Sequence, residues 1–223
     1  MRLAAVLATF ALSLPAAADP VVVELFTSQG CSACPPADEM LGHLVGRDGV
    51  IALSLHVDYW DWIGWKDTFA DPAFSERQLL YAAAAGSNVR YTPQFIVGGL
   101  DRVAGPAGME LSDTVQAHKG ATGDVLSASG SKVSVAATGV PGQLVAVTYR
   151  PQETVEVLHG ENAGHSITYH NIVETWTVLR ELDGSATTVT VPPAPPGRSR
   201  AVLAQAVVEG KPGAILGAVA LAD

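Results

Sequence analysis

Hydrophobic and polar positions follow two rhythms along this chain, and the change from one to the other falls near Gly120. Before it, short apolar runs alternate with segments of helical spacing. Val21, Val22, Val23, Leu25 and Phe26 form a run too short for a helix and read as a buried strand. Ala37, Met40, Leu41, Leu44 and Val45 fall on one helical face, with Pro35 and Pro36 tolerated in the first turn. Val50 to Val57 is a second buried strand, and a strand-helix-strand unit of this length predicts a right-handed parallel crossover. An aromatic loop follows, then a helix opened by Asp71-Pro72 and closed at Gly86. Thr92-Pro93 starts a third strand, Gln94 to Val97. Gly98-Gly99 turns it back into a short strand near Asp101 to Val103, and Gly108 to Lys119 reads as a last helix with Leu111 and Val115 inward.

After Gly120 the helical period disappears. A Gly/Ser/Thr-rich stretch leads into short alternating runs at 132–137, 144–149, 154–158, 166–179, 187–191, 201–208 and 215–221, punctuated by Pro-Gly, Asp-Gly and PPAPPGRS. Such spacing predicts an antiparallel sandwich. The element order before Gly120 is that of the thioredoxin core. The expected fold is therefore an α/β thioredoxin-like N-terminal domain over 19–120, a linker over 121–131 and an all-β sandwich-like C-terminal domain over 132–223.

Residues 1–18 have another character. Arg2, an apolar run from Leu3 to Leu14 and the small residues Ala16-Ala17-Ala18 make up a signal peptide, with Asp19 the expected new N-terminus. The expected location is periplasmic or secreted, with no membrane insertion after cleavage, since no later run reaches spanning length. A formal charge of -9 lacks the basic footprint of a nucleic-acid or anionic-lipid binder.

The only two cysteines are Cys31 and Cys34, at the mouth of the first helix. Two thiols at this spacing can close a small disulfide ring, and a helix N-terminus stabilises a thiolate, which suits exchange or a soft metal. Export puts the pair in an oxidising compartment, where a passive structural bond is the competing reading. With the third strand antiparallel to the first, Pro93 is expected near Cys31. His56 ends the second strand, at the carboxyl edge where ligands gather. It is either a satisfied structural residue or, with both thiolates, a copper(I) ligand. His159, His165 and His170 read as surface histidines. Tyr59, Trp60, Trp62 and Trp65 make either a packing wedge between domains or a substrate groove beside the dithiol.

The stretches ELFTSQGCSACPPAD, LHVDYWDWIGWKDTFA, YTPQFIVGG and GENAGHSITYHNIV together resemble the exported thioredoxin-like family catalogued as domain of unknown function 1223. The resemblance implies that Cys31 attacks and Cys34 resolves. It also implies that a cis Pro93 leaves the Thr92 backbone free to pair with a bound peptide, the competing reading being a trans proline that merely starts an edge strand. Glu24, a carboxylate in an apolar strand, is weighed as the buried proton relay that thioredoxins place beneath the inner cysteine, against an ion pair or an outward side chain. Gly30 and the Ser32-Ala33 pair depart from thioredoxin itself.

The favoured function is an exported thiol-disulfide oxidoreductase or isomerase without cofactor, acting on exported protein thiols or a redox partner protein. The alternatives are a copper-handling module on Cys31, Cys34 and His56, and a non-catalytic binding protein.

Overall fold

The computed structural model describes residues 19–221, so the segment read as a signal peptide lies outside the described residues. Strand β1 (Val21–Thr27) is followed by α1 (Pro35–Leu44), β2 (Val50–His56), α2 (Pro72–Ala84), β3 (Gln94–Val97), β4 (Asp101–Ala104) and α3 (Gly108–His118). The rest is all strand: β5 (Leu126–Ser129), β6 (Lys132–Val135), β7 (Gly142–Val157), β8 (His165–Leu182), β9 (Thr187–Thr190), β10 (Ser199–Val208) and β11 (Lys211–Leu221). Helix α2 starts where its chemistry directs. The Asp71 side chain accepts from the Ala73 N–H and Pro72 needs no hydrogen bond in the first turn.

β1 pairs in parallel with β2 and antiparallel with β3, which turns back into β4. The chain then departs from the expected two-domain layout. β7, β8, β10 and β11 do not make a sheet of their own; they extend the first one, giving eight strands in the order β11-β10-β7-β8-β2-β1-β3-β4. The joint is narrow: Ser54 pairs with Ile172 across β2 and β8, and Asn171 Nδ2 donates to the Ala52 carbonyl at 2.9 Å. Asn171 takes φ 45, a left-handed value Asn tolerates, and so turns its side chain into the ladder.

The long sheet curls until its ends meet. The Ile215 N–H of β11 donates to the Gly98 carbonyl in the β3–β4 turn at 2.8 Å. Gly99 lies so close to the Gly213 carbonyl that a Cβ there would clash with it. One face of α2 is buried, and one apolar core draws Phe74 and Tyr81 from it, Val22 and Phe26 from β1, and Val145, Leu203 and Ile215 from the far strands. The opposite face of β1 and β2 packs Val23, Leu25 and Ala52 on Leu41 of α1 and Leu111 of α3. The expected linker also contains a strand. β5 joins β6 and β9 in a three-stranded sheet whose Leu126, Val133 and Val135 cover Leu144, Ala146 and Val202 of the large one.

Candidate functional site

β1 ends at Thr27, and the chain crosses a short loop to α1. Cys31 and Cys34 are joined in a disulfide at this point, with Cα atoms 5.4 Å apart, and Cys34 is the N-cap of α1. Both are buried, Cys31 with 2% and Cys34 with 0% of its surface exposed. The loop is anchored by two neighbours. Asp67 Oδ2 accepts from the Gln29 N–H at 2.8 Å, and the Gln29 side chain accepts from Trp65 Nε1 at 2.8 Å. From the far half of the chain, Asn162 donates through Nδ2 to the carbonyls of Gln29 and Cys31 at 2.9 and 3.0 Å, and Ser32 Oγ donates to Glu161 at 2.6 Å.

Beneath the disulfide, between α1 and the sheet, lies a buried polar cluster. β1 and β2 bring Thr27 level with His56, while Ser54 lies two residues earlier on the same face. Helix α1 contributes Asp38, one turn beyond Cys34. Its N–H bonds to the Cys34 carbonyl, and its carboxyl lies near Thr27 and His56. β8 contributes Tyr169, whose ring meets His56 edge-on at 4.8 Å. Most of these groups lack partners. Both Asp38 oxygens, Thr27 Oγ1, Ser54 Oγ, His56 Nε2 and the Tyr169 hydroxyl are buried without a hydrogen bond of normal geometry.

Such crowding perturbs protonation. Burial pushes the Asp38 carboxyl up to about 7, and the nearby His56 imidazole and Thr27 hydroxyl offset only part of this. His56 feels the opposite balance. Burial disfavours its cation, but Asp67 Oδ2 at 2.7 Å from Nδ1, with Asp38 beyond, outweighs burial and holds its pKa above the ordinary value. Asp67 is drawn below its ordinary value: burial works against ionisation, yet the His56 charge and hydrogen bond, with the Gln29 and Phe69 N–H groups, prevail.

Glu24 is not under the inner cysteine. It shares its sheet face with Val22 and Phe26, the α2 side, and forms a bidentate pair with Arg77 at 2.6 and 3.0 Å while accepting from Tyr81 at 2.6 Å. The buried carboxyl on the α1 side of the sheet is Asp38. The Thr92-Pro93 bond is cis, and the β1–β3 register carries Pro93 to the level of Thr27. Trp60 donates to Thr92 Oγ1 at 2.8 Å and packs on Gly30, where a Cβ would be 3.2 Å from its own. Trp62 is 82% exposed and bonds only to the Tyr59 carbonyl, so of the two it is Trp60 that borders the loop. His56 is a buried partner of Asp67, and no group of three or more His, Cys, Asp or Glu among the described residues has the geometry of a metal site. His159 and His165 are exposed, and His170 packs over Gly42. No helix among the described residues is long and apolar enough to cross a membrane.

The crystal structure of protein AGR_C_4864 from Agrobacterium tumefaciens is 35% identical and superposes with a TM-score of 0.80, over 92% of this chain and 94% of that one. HBP35 of Porphyromonas gingivalis has the same fold at 14% identity and a TM-score of 0.64, over 92% of this chain and 75% of that one. No curated protein matches the sequence. The profile of the family described as "Protein of unknown function (DUF1223)" matches residues 22–208, and the chain belongs to that family.

Proposed function

We propose that this protein is an exported thiol-disulfide oxidoreductase that exchanges its Cys31–Cys34 disulfide with protein thiols, and that Asp38 manages the proton of the inner cysteine. The observation that carries this reading is a disulfide at a helix start lying one turn from a buried, unpaired carboxyl with a pKa of about 7. In the forward step a substrate thiolate attacks Sγ of Cys31 and the Cys31–Cys34 bond breaks, its electron pair passing to Sγ of Cys34. Cys34 is fully buried, so a bare thiolate there is costly, and the protonated Asp38 supplies the proton. A second substrate thiolate then attacks the substrate's sulfur in the mixed disulfide. The substrate leaves oxidised, and Cys31 leaves as a thiolate facing the α1 N-terminus. Another disulfide restores the protein by the reverse sequence. The signal-like pattern of residues 1–18 supports the exported location.

The test is substrate trapping. Cys34→Ser is expected to hold exported proteins on Cys31 as mixed disulfides, and Cys31→Ser to hold few. No trapping by either, together with a reduction potential below about -300 mV, assigns the bond a passive structural role instead.

A further inference from the structure

Neither cysteine is open to a substrate as the chain stands, and the tip of the β7–β8 hairpin, residues 158–164, is bonded to the loop that carries them. Asn162, itself 3% exposed, directs its carboxamide onto two main-chain carbonyls of the disulfide loop, those of Gln29 and Cys31. Glu161 accepts from Ser32 between the cysteines. Gly160, at φ +79, packs so closely on Trp65 that a Cβ there would lie 3.1 Å from the Trp65 Cβ.

The tip's own main-chain bonds close within the hairpin: Gly164 N–H to the Val157 carbonyl, His165 N–H to that of Asn162 and Ala163 N–H to that of Gly160. Its hydrogen bonds across to the disulfide loop come from side chains. It can therefore swing away without breaking the β7–β8 ladder.

We infer that Asn162 is a latch occupying the position of a substrate backbone: an extended polypeptide displaces it and donates its own N–H groups to the Gln29 and Cys31 carbonyls, placing its cysteine against Sγ of Cys31. The inference rests on the exchange reading and names its substrate class, a locally unfolded polypeptide with a cysteine. Carbonyl acceptors beside a reactive sulfur match the N–H groups of extended chain. A latch that donates to the same acceptors excludes other thiols until it is displaced.

The experiment measures how fast reduced dithiothreitol opens the disulfide in the full-length mature chain, following release of thiol. Asn162→Ala removes both bonds and is expected to speed reduction about tenfold, since each net hydrogen bond is worth a severalfold change in the closed population. Glu161→Ala, on the exposed side of the tip, is expected to speed it less. The second arm uses a cysteine-containing peptide against glutathione: the wild-type protein favours the peptide, and Asn162→Ala narrows that preference. Rates within twofold of wild type in both variants overturn the latch. Faster reduction with an unchanged preference between peptide and glutathione overturns the substrate-mimic part. If reduction is faster in Asn162→Ala and its preference narrows, yet Cys34→Ser traps no exported protein, the latch stands and the physiological exchange reading fails.

Discussion

The two faces of the central sheet each bury a polar cluster, and the clusters differ in one respect. On the α2 face, Glu24, Arg77, Tyr81 and Gln205 satisfy one another: Arg77 grips the carboxylate twice, Tyr81 donates to it, and Gln205 joins both Arg77 and Tyr81. The Arg77 guanidinium also stacks 3.6 Å over the Trp176 ring. On the α1 face, Asp38, Thr27, Ser54 and the outer nitrogen of His56 are equally buried but make no hydrogen bond of normal geometry. A closed network ties the far strands to α2. An open one, under the disulfide, keeps a proton on Asp38 that an exposed carboxyl would give up. Buried polar groups without partners cost stability and persist where they serve another purpose.

The largest expected effect comes from opening the closed network. Arg77→Ala leaves the Glu24 charge buried alone, which should cost about 3–5 kcal/mol in denaturant unfolding at neutral pH. A loss below about 1 kcal/mol would mean that the two clusters are alike.

Asp38→Asn should act the other way. The folded-state pKa is raised from 3.8 to about 7, so the native wild type holds this proton more tightly than the unfolded chain does. Its stability therefore falls as pH rises from about 4 to about 7, by about 4 kcal/mol in total at 1.36 kcal/mol per unit. The variant lacks that slope. It should gain on wild type by up to this amount at pH 8 and match it near pH 4, and a difference independent of pH would remove the carboxyl from the account.

His56 slopes the same way with pH, but its substitution destabilises. Its raised pKa adds stability that is present at pH 6 and lost as pH climbs through the folded-state value, so His56→Gln should destabilise more at pH 6 than at pH 9. Equal losses at the two pH values would show that the Asp67 pair does not titrate as described.

The smallest effect belongs to the exposed aromatic residue: Trp62→Ala should stay within about 0.5 kcal/mol of wild type. Trp176→Ala, which uncovers Arg77, should cost more.

Periodicity made the first half of the fold legible. The run at Val21 is buried throughout and that at Val50 from Ile51 onward, and Pro35-Pro36 and Asp71-Pro72 open helices as their chemistry requires. The far strands were readable as strands, but their partners were not. A single bridge from Ser54 to Ile172 and one Asn171 side chain attach them to β2, and no hydrophobic pattern encodes so narrow a joint. β5 escaped because LSAS buries only Leu126 and reads as linker.

The site divided in the same way. The Cys31–Cys34 pairing and the Thr92-Pro93 step were legible, whereas Glu24 faces the α2 side and the buried carboxyl on the α1 side is Asp38. Strand parity held the signal for the first, since Glu24 alternates with Leu25 and so faces away from α1. Helical spacing held it for the second, since Asp38 lies three residues before Leu41, on the buried stripe. Asn162 and Glu161 were inside a quoted motif, but nothing local indicated that the hairpin tip reaches back to Cys31.

The central claim is that the unpaired carboxyl handles the Cys34 proton. Its most direct test is the rate of Cys31–Cys34 reduction by a dithiol from pH 5 to 9, in wild type and Asp38→Asn, taken as a ratio so that ionisation of the reductant cancels. Below about 7, the protonated Asp38 donates to the departing sulfur and wild type should be faster by at least about tenfold. Above it, the carboxylate repels the emerging thiolate and the ratio should fall. A ratio that stays flat across this range would contradict the account.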